Sequence, residues 1–186
     1  MFAQNQSTIV LQKTTLNFLS TRALIFQFLL ISAAVVIPVV AHLTGAPVGY
    51  LLPMHWIVIL AGLLYGWRGG ILVGLLSPVA SYYLSGMPYL NILPSMTIEL
   101  VTYGFIAGFL REAFRLNSFF SVAIALVLGR IAFVASVLLL NVATTNHIDY
   151  IKVALLPGIV AALFQILLLP LLANWWCTKK RENSVE

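Results

Sequence analysis

The sequence predicts an all-α integral membrane protein: a six-transmembrane-helix bundle with both termini cytoplasmic. Three observations predict it. Of the 186 residues, 61% are hydrophobic and only 8% charged, with mean hydropathy +1.02. A soluble domain carries about 25% charged residues, so this chain cannot cover a globule with hydrated surface. The apolar residues form continuous runs rather than alternating, which suits spanning helices and excludes a β-barrel. The basic residues fall almost entirely on one side of those runs. A soluble enzyme and a free binding module are both excluded, and the length suits a single membrane domain.

The six runs are 23–43, 49–66, 69–86, 95–110, 118–141 and 152–176. Each approaches the roughly 20 residues that cross a 30 Å hydrocarbon core. The first 21 residues are polar and then mildly amphipathic. They are expected to form a cytoplasmic N-terminal segment, 1–22, and not a signal peptide, because the apolar run behind them is too long. Thr44-Gly45-Ala46-Pro47 turns the chain between the first and second runs, and Gly86-Met87-Pro88 with Pro94 turns it between the third and fourth. Pro38, Pro78 and Pro170 lie inside runs and predict kinks that a bundle tolerates. Pro157-Gly158 lies near the start of the sixth. The membrane domain is therefore 23–176, followed by a basic cytoplasmic tail, 177–186.

Orientation follows from the basic residues. Lys13, Arg22, Arg68, Arg111, Arg115, Lys179, Lys180 and Arg181 fall on one side, Lys152 on the other, and Arg130 within a run. That asymmetry places the first group in the cytoplasm. It also means that the net charge of +5 does topological work and does not signal nucleic acid. The lone Cys177 excludes a disulfide framework and a cysteine-based zinc site. Internal repeats, of the kind that build many secondary transporters, are not visible.

Glu99 and Arg130 are the ionisable side chains set most plainly inside the runs. Each costs roughly 2.5–3.5 kcal/mol to insert unless paired or solvated, so such residues mark a functional site by default. Glu99 is expected about one turn below the outer surface and Arg130 near mid-depth, about 10 Å apart in height. They form either an ion pair locking two helices or contacts to a polar ligand in an outward-facing pocket. Ser95, Glu99, Thr102 and Tyr103 share one face of the fourth run. Asn141, three turns beyond Arg130, is expected to point the same way. His55 and Trp56 sit early in the second run, and Gln165 midway along the sixth. His55 reads equally as an interfacial histidine and as a ligand contact. Trp56 reads as an interfacial anchor or a ring to stack on, and Trp175 and Trp176 as anchors beside the basic tail. Motifs for hydrolysis, redox chemistry, metal binding or phosphate binding are not found. No catalytic residue and no cofactor is expected, and any energy for work must come from a partner.

Small residues make a second pattern. Gly62, Gly66, Gly70 and Gly74 recur every four positions, Gly104 and Gly108 repeat the spacing, and Ala125 with Gly129 and Ala132 with Ser136 do so in the fifth run. Such spacing lets helix backbones approach closely. It serves packing inside the bundle or docking onto another membrane subunit.

The stretch Leu52 to Gly70 (LPMHWIVILAGLLYGWRGG), its continuation Gly74-Leu75-Leu76-Ser77-Pro78, and Met96 to Gly108 (MTIELVTYGFIAG) resemble the second to fourth helices of substrate-binding S components of energy-coupling factor (ECF) transporters. The resemblance implies a six-helix subunit of a prokaryotic plasma membrane that captures a vitamin or related micronutrient. It further implies a membrane coupling subunit and two ATPase subunits as partners, with toppling to release cargo. The Ala-x-x-x-Ala docking motif of many members is missing: Ala33 is followed four on by Ile37, and Ala34 by Pro38. Carried over, the ligand region holds Glu99, Tyr103, Arg130, Asn141 and Gln165, with a lid from Tyr50–Trp56 and Met87–Asn91. Arg130 would suit a carboxylate, Glu99 an amine or amidine-like edge, and Trp56, Tyr83 and Tyr89 a flat ring. Two other functions compete: a scaffold subunit of a cell-envelope complex, such as a rod-shape-determining protein, and a solitary small carrier.

Overall fold

The structure, a computed structural model, describes residues 15–16, 18, 20–142 and 147–182. Lys13, most of the predicted N-terminal segment, the side chains of Lys180 and Arg181, and the end of the tail lie outside the described residues. Among the described residues six helices follow one another: α1 (Thr21–Leu43), α2 (Val48–Leu51), α3 (Pro53–Ser85), α4 (Leu93–Glu112), α5 (Ser118–Leu139) and α6 (His147–Glu182). Five helices among the described residues are long and apolar enough to cross a membrane, with Val48–Ser85 counted as one.

Helix ends follow local chemistry. Ser20 caps α1 by accepting the Ala23 amide at 3.2 Å, and Asn117 caps α5 by accepting that of Phe119 at 3.2 Å, each satisfying a donor without an intrahelical partner. Proline opens α3 and sits in the first turn of α4, where its missing N–H costs nothing. Two boundaries differ notably from the hydropathy reading. The helix α6 starts five residues before the expected 152 and ends six after 176, because helical hydrogen bonding continues through Asp149, Lys152 and Lys179, which dilute the apolar signal.

The second difference is α3, which holds both the second and the third predicted runs. The break between them is Gly66 alone, at φ 74°, ψ −171°, a conformation open essentially only to glycine. The chain reverses there. A Cβ built on Gly69 would lie 3.5 Å from the carbonyl oxygen of Ala61, although a straight helix would separate those residues by about 12 Å. Gly62 and Gly70, four residues either side of Gly66, both face the Gly104 backbone of α4, while Gly74 faces Leu100 and Gly108 faces Gly66. The two arms therefore run antiparallel to each other, both packed on α4, and the four-residue glycine spacing proves to be a seam inside the bundle. Side chains at these positions would hold the backbones apart.

The main core gathers Val58, Leu63, Leu100, Tyr103, Val122, Ala125 and Leu169, with Ala34 of α1 and Ala173 of α6. The outer faces carry large exposed apolar side chains such as Phe28, Phe120, Leu139 and Leu163, as a lipid-facing surface requires. At the end of the bundle opposite Gly66, the last turns of α1, the short α2, both free ends of α3 and the start of α4 converge around a cavity.

Candidate functional site

The site is built on α4. Ser95, Glu99 and Tyr103 are spaced by one helical turn and all are buried, because this stripe faces the bundle interior. Thr102, expected on the same face, instead directs its hydroxyl to the Ile98 carbonyl of its own helix at 2.7 Å. Glu99 is 3% exposed and is gripped from three sides. The Tyr103 hydroxyl donates to its Oε1 at 2.7 Å. Arg130 Nη1, from α5, lies 2.9 Å from the same oxygen. His55 Nε2, from the start of α3, lies 3.7 Å from Oε2, beyond hydrogen-bond reach.

Two glycines make room for this grouping. A Cβ at Gly129 would run into the Tyr103 ring, and one at Gly158 into the Arg130 guanidinium. The helix α6 thus lies directly against the arginine. The Arg130 side chain keeps 22% of its surface exposed, whereas His55 and Glu99 are almost fully enclosed.

The cavity beside this cluster measures about 510 Å³, within the range of small-molecule sites. His55 forms part of its wall and reaches Glu99 on its other side. Leu52 is also in the wall, and its Cδ1 lies 3.1 Å from where a Gly158 Cβ would stand, beside Arg130. One layer of side chains therefore separates the cavity from the charged group. Leu52 itself has φ 45°, a left-handed conformation that costs an ordinary residue about 1–2 kcal/mol. The Trp56 indole N–H steadies this turn by donating to the Leu51 carbonyl at 2.8 Å.

A profile of the family described as ECF transporter, substrate-specific component, matches residues 14–174. The chain belongs to this family. No curated protein and no solved structure matches it significantly. As an ECF substrate-specific component it is a substrate-binding transporter subunit rather than an enzyme, and such subunits work with membrane coupling and ATPase subunits.

Of the residues expected at the binding region of this ECF component, His55, Glu99, Tyr103 and Arg130 come together. Trp56 is adjacent, with its N–H engaged in the turn. Gln165 is buried on α6 at 1% exposure, and its Nε2 has no hydrogen-bond partner among the described residues. Asn141 lies just past the end of α5, exposed and left-handed at φ 51°. Both stretches expected as a lid contribute to the cavity, through Leu52, Met54 and His55 on one side and Met87, Pro88 and Tyr89 on the other. Tyr83 is 81% exposed and lies outside the wall.

Sequence reasoning missed a second polar knot. Arg111, counted only as a charge flanking a run, is 5% exposed. Its Nη1 donates to Ser118 Oγ at 2.6 Å and its Nη2 to Asn174 Oδ1 at 3.0 Å, tying α4, α5 and α6 at the Gly66 end. It also missed Gly129 and Gly158 as shelves for functional side chains. The only signal in the sequence was a small residue at a helix-packing interval.

Proposed function

We propose that this chain is the substrate-capture subunit of an ECF-type importer and takes up a small water-soluble vitamin or micronutrient precursor from the outer face. The observation that carries the reading is a buried polar group, Glu99 with Tyr103 and Arg130, set one side chain away from a cavity of about 510 Å³. Intramembrane charge is expensive, and a cavity at its border is what a solute-handling site supplies. His55 contacts the solute directly, while Glu99, Tyr103 and Arg130 hold His55 and the cavity floor in place. Gln165, Asn141 and Trp56 complete the surroundings. The two antiparallel arms of α3 each cross the bilayer in this reading, giving six crossings with both termini in the cytoplasm. The asymmetry of basic residues supports it, and it puts the cavity outside. A membrane coupling subunit and two ATPase subunits supply the energy.

One observation favours the scaffold reading: Arg130 and Glu99 hold each other at 2.9 Å, as a locking pair would. Thermal unfolding of the purified protein against a panel of water-soluble vitamins separates the two. A binding vitamin at 100 times its dissociation constant adds about 2.7 kcal/mol of stability. A panel without any shift, together with failure to co-purify with an ATPase pair, would favour the scaffold.

A further inference from the structure

The cavity wall narrows the substrate class, on the reading that this chain captures a small solute. Three of the four methionines in the chain, Met54, Met87 and Met96, line it. The Tyr89 ring stands at its rim, 62% exposed. The polar side chains in the wall, besides that phenol, are two imidazoles and two serine hydroxyls, His55 and Ser81 among them, and among the described residues no Asp, Glu, Lys or Arg is present there. The nearby carboxylate and guanidinium lie behind His55 and Leu52, and they are engaged with each other, the carboxylate also accepting from Tyr103. A charged solute in this cavity would leave water for a wall that offers it no carboxylate, ammonium or guanidinium among the described residues, which is unfavourable. Thioethers are polarisable, unbranched and adaptable, and they pack well against aromatic ring edges. The volume suits a small molecule and is too small for a folded partner.

We propose that the substrate is an uncharged, ring-bearing small molecule, its ring packed among Met54, Met87, Met96 and Tyr89 and its hydrogen-bonding group meeting His55 and Ser81. The charged cluster shapes the floor and does not grip the solute. This departs from the expectation that Arg130 binds a carboxylate and Glu99 an amine.

The test uses the full chain in nanodiscs and two series that keep one ring and change only the charge. One series is indole-3-ethanol, indole-3-acetate and tryptamine; the other is nicotinamide, nicotinate and 3-picolylamine. The neutral member of at least one series should stabilise the protein at concentrations at least about tenfold below those of its charged partners. Tyr89→Asp and Met96→Glu should each abolish that preference. Tyr89 is exposed, so the unliganded Tyr89→Asp variant should melt with the wild type, which separates lost binding from lost folding. If both series are silent, the vitamin panel decides: a neutral ring-bearing hit sensitive to Tyr89→Asp supports the proposal, and a charged hit overturns it. Preference for a charged member, lost in Arg130→Lys but kept in Tyr89→Asp, would move the site to the ion cluster and overturn the substrate class while leaving the capture function standing. Stabilisation by decanol regardless of any ring would make the cavity an acyl-chain slot and also overturn it. Silence from both series and from the whole panel would overturn the substrate class, and with failure to co-purify with an ATPase pair it would remove the capture reading itself.

Discussion

Gly129 and Gly158 decide whether Tyr103 and Arg130 can reach Glu99. A side chain at either position meets the tyrosine ring or the guanidinium. Gly158→Val is expected to displace Arg130 and weaken its pairing with Glu99, lowering the melting temperature of the unliganded protein. Removing one partner of the pair should cost more than removing both. Arg130→Met leaves an enclosed carboxylate and should cost up to about 3 kcal/mol, the low end for a buried pair because the arginine is partly exposed. Glu99→Gln combined with Arg130→Met should recover part of that loss in a double-mutant thermal cycle. Additive losses would mean that the two side chains do not interact. At this scale the sequence was informative about charge and silent about space. Glu99 and Arg130 stood out because oil makes ionisable groups conspicuous. Gly158 did not, because a missing side chain says nothing about what fills its place.

Two devices hold the helices together: the glycine seam between α3 and α4, and the Arg111 knot joining α4, α5 and α6. Gly66→Ala puts a Cβ on a backbone conformation that L residues rarely adopt and drives it into the Glu112 side chain. A loss of about 1–3 kcal/mol is expected from the backbone alone, read by thermal unfolding in detergent. Gly70→Leu should be worse, because the added atoms meet backbone that cannot move aside. For the knot, Arg111→Leu and Ser118→Ala should couple in a double-mutant cycle by about 0.5–3 kcal/mol, since their side chains share a hydrogen bond at 2.6 Å. The helices were legible as apolar runs, and the small-residue spacing was legible as packing. The place of the reversal was legible too, since one run ends at 66 and the next begins at 69, but its form, a single glycine inside an otherwise continuous helix, was not, because a glycine's sign of φ leaves no trace in composition. Arg111 was misjudged for the opposite reason: a charge at the end of a run looks solvated whether or not neighbouring helices enclose it.

For the molecule as a whole, the testable quantity is which end faces out. In a Cys177→Ser background, Leu90→Cys at the cavity end should react with a membrane-impermeant maleimide on intact cells, and Phe114→Cys at the Gly66 end should react only after lysis. Both positions are well exposed, at 65% and 63%, so reactivity reports sidedness rather than access. The reverse pattern would invert the orientation and put the cavity in the cytoplasm. The class of protein and the identity of its central charges could be read from the chain alone, because few ways exist to be this apolar and still carry a buried ion pair. The position of the cavity could not, since it arises where α1, α2, both ends of α3 and the start of α4 meet at one end. The glycine seam has a mechanical consequence for whatever happens there. Where main chain lies directly on main chain, no rotamer can flip to loosen the joint, so α3 and α4 should travel as one stiff plate. Any rearrangement that lets cargo in or out then falls to α1, α6 and the connecting turns, whose grip depends on side chains able to let go.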